Sequence, residues 1–551
     1  MLNNTRFRRA RCAALASLLL SGLAFAEPTI VSTEYLGPFT GVDAPLHADN
    51  LRPKRARYFG TDLGFSYSHG EHLVFLFGDT MAEQSGARID KASGDIFDDM
   101  IGVIPLADWP DPTRIGPGNV PTIRLLQYPN SSEIMAIDPG FVFDGLKTPE
   151  AGWSNGTNEF AVLLLAKPQG CLADADCDNG MHCDTGLGYL GPPYFEELGT
   201  TLACVEGQAN CTSDTMQRVD GAPIEGSGFC IDPSSSMRGE SDAGRVAAYA
   251  VRQRIGIRST TQPWKYRKIR DWMTNKFLNT TVTTVECLPL SDNEGPADYT
   301  NAQGAGDCRR VLFWGRPGFT GVGANGRYMG LYLAYIDMPA APDFELTFHY
   351  FSGLDESGRP LFSLSEQEAV ALDQDASREG VQPEEPHDII NHMDVAWVPD
   401  LGKWLMFYGG GIDATPKPAF GLAECGLLQI FAGAECKDVD TDNGAIRMRT
   451  ADHPWGPWSA PQDVIVGGRY EEPGSGEFGP GGALFHPDCE GPTCAPSSAV
   501  PVLQDTGHGW FYGVNIIEPW IRPAGDGVDV IWNASTWDPY RVVLLRTRIN
   551  R

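Results

Sequence analysis

The chain has 551 residues, a formal net charge of −29, and abundant Gly and Pro, at 63 and 41 residues. The negative charge repels phosphate backbones, so it argues against a nucleic-acid partner and favours neutral ligands such as glycans. The same acidity would also keep a secreted protein soluble, and both explanations stay open. Abundant Gly and Pro, with almost no helical periodicity, favour many short strands joined by tight turns.

Residues 1–26 are predicted to be a signal peptide. Four arginines precede an apolar stretch at 13–24 that is too short to anchor the chain in a membrane. Ala24-Phe25-Ala26 is an A-x-A cleavage signature. No later run is apolar enough to span a membrane, so the sequence predicts an exported protein, extracellular or periplasmic, that comprises residues 27–551.

The first strong strand signals lie in residues 55–80. Apolar residues alternate with other residues on both sides of a turn at 68–71, which is the period of a strand with one buried face. Asp62 stands where the first strand begins and Asp79 where the second ends, so a hairpin places them near one edge of the sheet. Glycines beside each carboxylate allow backbone or ligand to approach closely.

Residues 171–230 have a different composition from the rest of the chain. They hold six of the twelve cysteines that remain once Cys12 leaves with the signal peptide. The interval is acidic and almost without strand signals, so it is predicted to be a disulfide-stapled insertion. Alternating aspartates at 174–178 suggest a calcium loop, but Asn179 and Thr185 replace the Gly and Glu that such a loop needs. A structural decoration is therefore favoured.

Five strand-rich units follow one another along the chain, each with an apolar inner strand, a hairpin and a more polar outer strand. Radial repetition of four-stranded sheets closes so many strands without long exposed edges, so we predict an all-β, five-bladed β-propeller over 27–551. The terminal strands, 28–36 and 541–549, are expected to complete one blade together. Residues 95–150 are interpreted as loops and outer strands, and 365–373 as one short helix.

Several motifs resemble those of the domain-of-unknown-function 4185 family. They are GTDLG (60–64), FGDT (77–80), GRPG (315–318), RMRTADHPWGPWS (447–459) and STWDPYRVVLLRTRI (535–549). The resemblance spans most of 55–549, apart from the cysteine-rich insertion. That family is similar to five-bladed propeller glycosidases, and part of it is glycoside hydrolase family 183, which acts inside D-arabinan chains. The resemblance therefore implies a propeller and permits a glycosidase, and the activity expected from it is cleavage of a furanoside-containing polysaccharide.

Glycoside hydrolysis needs two carboxyl groups, one protonated and one ionised. Asp62 is the first candidate, as base or nucleophile, although Asp at such a position also caps backbone amides. Asp79 is the second, orienting the substrate or tuning a neighbour, with a plain turn residue as its alternative. For the acid, Asp394 and Glu159 both stay open, because each begins a strand-rich unit and each is also typical of a structural carboxylate.

Two further residues are candidates for substrate binding. Arg316 has the geometry to grip a hydroxyl or a carboxylate, or to pair with an axial aspartate. His392 stands where the resemblance leads us to expect a glutamate, with Asp394 two residues later. No zinc-ligand spacing or phosphate loop occurs, so no cofactor or catalytic metal is predicted, and a structural calcium ion stays open without assigned ligands.

The sequence thus leaves two functions in competition. One is a secreted glycoside hydrolase that takes a polysaccharide or oligosaccharide. The alternative is a non-catalytic surface module that binds carbohydrate or protein, with residues 171–230 as its contact region.

Overall fold

The computed structural model describes a little under half of the chain. In order, the described residues are 27–41, 44, 58–82, 98–109, 111–127, 146–167, 170–171, 173, 175, 182–184, 228–231, 238–240, 246–248, 250–258, 266–272, 276–277, 279–286, 309–316, 330–338, 346–372, 392–409, 446–465, 511–536 and 541–551.

These residues form strands and a few short 3-10 helices. In chain order the strands are β1 (Thr29–Pro38), β2 (Tyr58–His69), β3 (His72–Ala82), β4 (Asp98–Pro105), β5 (Arg124–Leu125), β6 (Leu146–Ser154), β7 (Glu159–Lys167), β8 (Gly170–Cys171), β9 (His182–Asp184), β10 (Gly228–Ile231), β11 (Arg238–Glu240), β12 (Val246–Ala248), β13 (Ala250–Arg258), β14 (Tyr266–Trp272), β15 (Asn279–Glu286), β16 (Arg309–Arg316), β17 (Tyr332–Asp337), β18 (His349–Leu354), β19 (Pro360–Ser363), β20 (Met393–Val398), β21 (Lys403–Gly409), β22 (Ile446–Ala451), β23 (Gln462–Ile465), β24 (Phe511–Ile516), β25 (Arg522–Ala524), β26 (Gly527–Thr536) and β27 (Arg541–Asn550). The 3-10 helices are Leu106–Asp108, Pro112–Arg114, Glu366–Glu368 and Glu518–Trp520.

The fold is all-β, and its sheets have a β-propeller arrangement with at least four blades. Among the described strands, five sheets have four or five members each. Their orders are β2-β3-β4-β5, β14-β13-β7-β6, β15-β16-β17-β18-β19, β20-β21-β22-β23, and β1-β27-β26-β24 with β25 beside β26. Two small sheets, β8-β10-β9 and β11-β12, lie between β7 and β13 in sequence.

The inner strands β2, β6, β15, β20 and β24 pack side by side around an axis, each against its neighbours, and β24 also packs against β2. Paired contacts show that neighbouring inner strands run in the same direction. Tyr512 and Asn515 of β24 bond to Asp62 and Ser66 of β2, in that order along both strands. The same order holds for β6 beside β2 and for β20 beside β15. We call the end where the inner strands begin the proximal end and the other the distal end.

The first and last strands of the chain share one sheet, as predicted. β1 pairs antiparallel with β27, from Thr29 opposite Asn550 to Pro38 opposite Val543. This pairing closes the ring with main-chain hydrogen bonds between residues more than 500 positions apart, so neither terminal strand is left as an open edge beside the other.

The interpretation of residues 95–150 as loops and outer strands is wrong for residues 146–150. Residues 146–154 form β6, which lies innermost in its sheet and pairs with β7. Pro149 interrupts the strand pattern, and the pairing register shifts between Pro149 and Ala151. A bulge of this kind breaks the period-2 alternation on which strand prediction depends.

The short helix expected at 365–373 is also wrong in extent. Only Glu366–Glu368 forms a single 3-10 turn, and its Ser365 cap makes no side-chain hydrogen bond. The next residues instead donate main-chain hydrogen bonds to neighbouring strands, from Val370 to Phe351 and from Leu372 to Leu331. Long-range main-chain hydrogen bonds have therefore replaced the helix that local propensity favoured.

The hydrophobic core lies in layers between adjacent sheets. Between the β6 and β15 sheets, Trp153, Trp272, Phe313 and Phe348 are buried, and the Trp272 and Phe348 rings stack with centroids 4.2 Å apart. Burial of each such ring contributes about 1.5–3 kcal/mol to stability. In the described part of the chain, no helix has the length and hydropathy to cross a bilayer.

Replacing Gly152 by Ala is expected to destabilise the fold by about 1 to 2 kcal/mol, because an added methyl overpacks a tight contact. A Cβ at Gly152 would lie 2.3 Å from Cε1 of Tyr67, where β6 crosses β2. The matched control is Gly116→Ala, since nothing lies within 4 Å of that position. Urea denaturation of both variants checks this, and equal midpoints would contradict the close packing of the two inner strands.

Candidate active site

Five polar side chains gather at the proximal end, and we call them the proximal cluster: Asp62, Glu150, Arg316, His392 and Tyr512. Tyr512 Oη donates a hydrogen bond of 2.8 Å to Asp62 Oδ2. The Tyr512 and His392 rings lie 6.1 Å apart between centroids. The charge of Asp62 acts on Glu150 and that of Arg316 on His392. Three inner strands, the residue just before β20 and the end of β16 thus bring together residues that are up to 450 positions apart.

Glu150 is the protonated member of the cluster. Its side chain is buried on β6, with a residue exposure of 1%, and receives one long hydrogen bond of 3.4 Å from the Thr280 amide. Burial raises the pKa of Glu150 to about 8, and the negative charge of Asp62 adds to the rise. A carboxyl group in this state holds its proton at neutral pH and can donate it.

Asp62 is also buried, but the Tyr512 hydroxyl donates directly to its carboxylate. Hydrogen bonds to the charged form favour that form. Gly78 pairs with Asp62 in the β2–β3 register, and a Cβ there would lie 2.8 Å from Asp62 Oδ1. The glycine before Asp79 in the FGDT motif therefore leaves room for the Asp62 carboxylate.

The cationic half of the cluster is carried by Arg316 alone. Arg316 ends β16, where it pairs with Asn279, and its residue is 0% exposed. Burial, followed by the charge of Arg316, lowers the pKa of His392 to about 3. The imidazole is therefore neutral at physiological pH and offers one donor and one acceptor to a hydroxyl-rich ligand.

Asp394 lies outside the proximal cluster. Its carboxylate accepts hydrogen bonds from Thr281 Oγ1 at 2.5 Å, the Ile516 amide at 2.6 Å and the Val395 amide at 2.9 Å. Burial raises its pKa to about 7 despite these donors. Asp394 thus ties β15, β20 and β24 together, which the sequence did not indicate.

Asp394 also lines an axial cavity of about 370 Å³ that lies beyond the proximal cluster. Its walls are the inner strands and the turns that follow them, and they present hydroxyl, amide and carboxyl groups beside a few apolar faces. The lining includes Ser66, Ser68, Ser154, Gly156, Thr281, Thr283, Thr284, Asp394, Asn515 and Glu518. A cavity of this size and polarity suits a sugar-sized ligand.

Replacing Thr281 by Val is expected to cost about 1 kcal/mol of stability, because the buried Asp394 loses a donor while the volume is kept. The control is Thr284→Val, whose side chain is only partly buried on the same strand. Chemical denaturation near neutral pH compares the two. Loss of activity with unchanged stability in Thr281→Val would instead favour a catalytic role for Asp394.

The remaining predicted residues lie apart or outside the described side chains. Asp79 is on β3, one residue after the partner of Asp62, so the backbone places it towards the proximal end; its side chain lies outside the described residues. Glu159 begins β7 at the distal end, where Tyr67 Oη donates to it at 3.0 Å. The structure therefore does not bring Glu159 together with Asp62.

Sequence reasoning missed Glu150, although a signal was present. In the first unit the acidic residue lies on the strand before the hairpin turn. The same position in the second unit is the strand before the turn at 155–158, which contains Glu150 and not Glu159. Applying one hairpin rule to both units would have selected Glu150.

Within the described ranges, no three His, Cys, Asp or Glu side chains are grouped as metal ligands. The alternating aspartates at 174–178 lie outside the described residues, so the calcium-loop alternative stays a prediction. Within the cysteine-rich insertion the described residues include the sheet β8-β10-β9, whose strands the sequence did not predict.

Comparison with known proteins gives fold likeness alone. No family model and no curated protein matches the sequence, so the resemblance to the 4185 family rests on its motifs. A hydrolase candidate from Bacteroides ovatus ATCC 8483 is 10% identical, with coverage of 90% of this chain and 87% of that chain and a TM-score of 0.37. The alpha-L-arabinofuranosidase of Podospora anserina, in complex with cellotriose, is 9% identical, with coverage of 95% and 98% and a TM-score of 0.34. An N-acetylgalactosamine deacetylase from F. plautii is also 9% identical, with coverage of 94% and 96% and a TM-score of 0.33.

Proposed function

We propose that this protein is an exported glycoside hydrolase that cleaves a furanoside-containing polysaccharide of the D-arabinan type. The proposal includes a five-bladed propeller, in which each of the five large sheets is one blade. The observation that carries it is the Asp62–Glu150 pair, in which one carboxyl group is held protonated beside a charged one. Glycosidases divide their two carboxyl groups between these states.

In the proposed reaction Glu150 donates its proton to the glycosidic oxygen as the bond to the anomeric carbon breaks. Asp62 acts on the other side of the sugar, either as the base that activates water or as the nucleophile, and the reaction then returns the proton to Glu150. Arg316 and His392 bind sugar hydroxyls through charged and neutral hydrogen bonds. Asp79 orients the substrate from the neighbouring strand.

Export and disulfide stapling form part of the same proposal. The register of the insertion supports one bridge, because Cys230 on β10 lies directly opposite Cys183 on β9. Directly opposed residues of an antiparallel pair have Cα separations within the range that a disulfide spans.

A substrate panel tests the proposed function. Release of reducing ends is measured from D-arabinan, L-arabinan and unrelated glycans with the wild-type protein and with Asp62→Asn. We expect release from a furanoside polymer and its loss in the variant. Binding to a glycan without release by the wild-type protein would overturn the enzyme and leave the carbohydrate-binding module.

A further inference from the structure

The distal end holds a second constellation of catalytic side-chain types that the proposed glycosidase does not use. His69 ends β2, Ser154 ends β6, and Glu159 begins β7. His69 Nδ1 lies 2.7 Å from Ser154 Oγ, and His69 Nε2 lies 3.7 Å from Glu159 Oε1. The candidate nucleophile Ser154 and the orienting carboxylate of Glu159 therefore lie at the two nitrogens of the candidate base, His69.

The hydrogen bonds around this line are compatible with an activated serine. The Gly156 amide donates to Ser154 Oγ at 2.9 Å and uses one of its lone pairs, while the hydroxyl proton is within reach of His69 Nδ1. In the tautomer with the imidazole proton on Nε2, that proton faces Glu159. Tyr67 Oη holds the other carboxylate oxygen of Glu159 at 3.0 Å. This is the proton arrangement that activates a serine.

Ser154 also lies at the centre of a Gly-x-Ser-x-Gly sequence, Gly152-Trp153-Ser154-Asn155-Gly156. The structure explains why both positions are glycine. Gly152 packs against the Tyr67 ring, and Gly156 has φ +86° in the tight turn between β6 and β7. The turn joins two strands, unlike the strand-to-helix elbow of α/β-hydrolases, and it places Ser154 in the lining of the axial cavity.

The cavity indicates the class of substrate. Ser68, Thr284 and Glu518 line the same cavity as Ser154, and the volume of about 370 Å³ holds an acyl group on one sugar ring. Hydroxyl-rich walls complement a polyol, whereas a lipase substrate would need an apolar cavity. We propose that Ser154, His69 and Glu159 form an esterase site for acylated sugars.

The proposed ester hydrolysis needs only these three residues and water. Ser154 Oγ attacks the ester carbonyl and gives its proton to His69 Nδ1, while Glu159 stabilises the resulting imidazolium. The alkoxide of the sugar leaves and takes that proton, and an acyl-serine remains. Water then loses a proton to His69, attacks the acyl-serine, and releases the carboxylic acid and the free serine.

Fluorophosphonate labelling of the full-length protein tests the nucleophile directly. We expect phosphonylation of the peptide that contains Ser154, located by mass spectrometry, and loss of that label in His69→Asn. The control is Ser357→Ala, which removes a hydroxyl from an exposed turn that hydrogen-bonds only to Asp355 among the contacts described. A wild-type protein that takes no label at Ser154 would overturn the proposal.

Measurement of ester hydrolysis is the second test of the proposed esterase site. A monosaccharide acetate without a glycosidic bond serves as substrate, so failure of the glycosidase leaves this result readable. We expect Ser154→Ala to lower kcat/KM by about 10³-fold or more with an unchanged melting temperature. If the three residues only brace two turns, Ser154→Ala will lower the melting temperature and leave any acetate hydrolysis as it was, and that outcome contradicts an esterase.

Discussion

Glu150→Gln is expected to lower kcat for cleavage of a furanoside polymer by about 10²–10⁴-fold, the usual contribution of a positioned general acid. Glutamine keeps the volume and the hydrogen bond from Thr280 but has no proton to give. The loss depends on the leaving group, because a sugar alkoxide needs protonation whereas an acidic phenol leaves without it. We therefore expect a much smaller loss on a nitrophenyl arabinofuranoside.

Asp62→Asn provides the contrast, because Asp62 acts on the sugar and not on the leaving group. The fall in kcat of Asp62→Asn is expected to be similar for the polymer and for the nitrophenyl substrate. Glu356→Gln, on an exposed turn, is the control for loss of one negative charge. If Glu150→Gln lost activity equally on both substrates, the role of Glu150 as the acid would be contradicted.

Stability is expected to fall by about 2 kcal/mol between about pH 6.5 and pH 8, because Glu150 is protonated in the folded protein and ionised in the unfolded chain. Its folded pKa is raised from 4.5 to about 8, so the stabilising contribution is present at low pH and lost as pH rises through about 8. Asp394, with a folded pKa of about 7, adds to the fall at the start of this range.

The pH range is chosen so that His392 does not mask the effect. Its lowered folded pKa makes the folded protein gain stability as pH rises, but only up to the ordinary pKa of 6.5 in the unfolded chain. Urea midpoints across the range measure the slope, and Glu150→Gln should flatten it. An equally steep fall in that variant would show that another group is responsible.

The sequence was sufficient where the pattern was local. Alternating apolar residues on both sides of one turn predicted β2 and β3, and the apolar final strand predicted the pairing of β27 with β1. Asp62 was found because it lies between glycines at the start of such a strand. These signals depend on residues that are neighbours in the chain, so one sequence contains them.

The proximal cluster depends on closure of the ring and could not be predicted in the same way. Glu150 lies on a bulged strand with weak alternation, and its raised pKa comes from burial and from Asp62, which is 88 positions earlier. Likewise, Ser154 and His69 meet only because β6 packs against β2. Neither sequence spacing nor composition carries that packing.

The protonation state of Glu150 is the central claim, and infrared difference spectroscopy measures it most directly. The wild-type spectrum minus that of Glu150→Gln, taken near pH 6.5, isolates the Glu150 carboxyl group. We expect the C=O band of a protonated acid, lost as the pH is raised past about 8. A carboxylate band already present at about pH 6.5 would contradict the assignment of Glu150 as the proton donor.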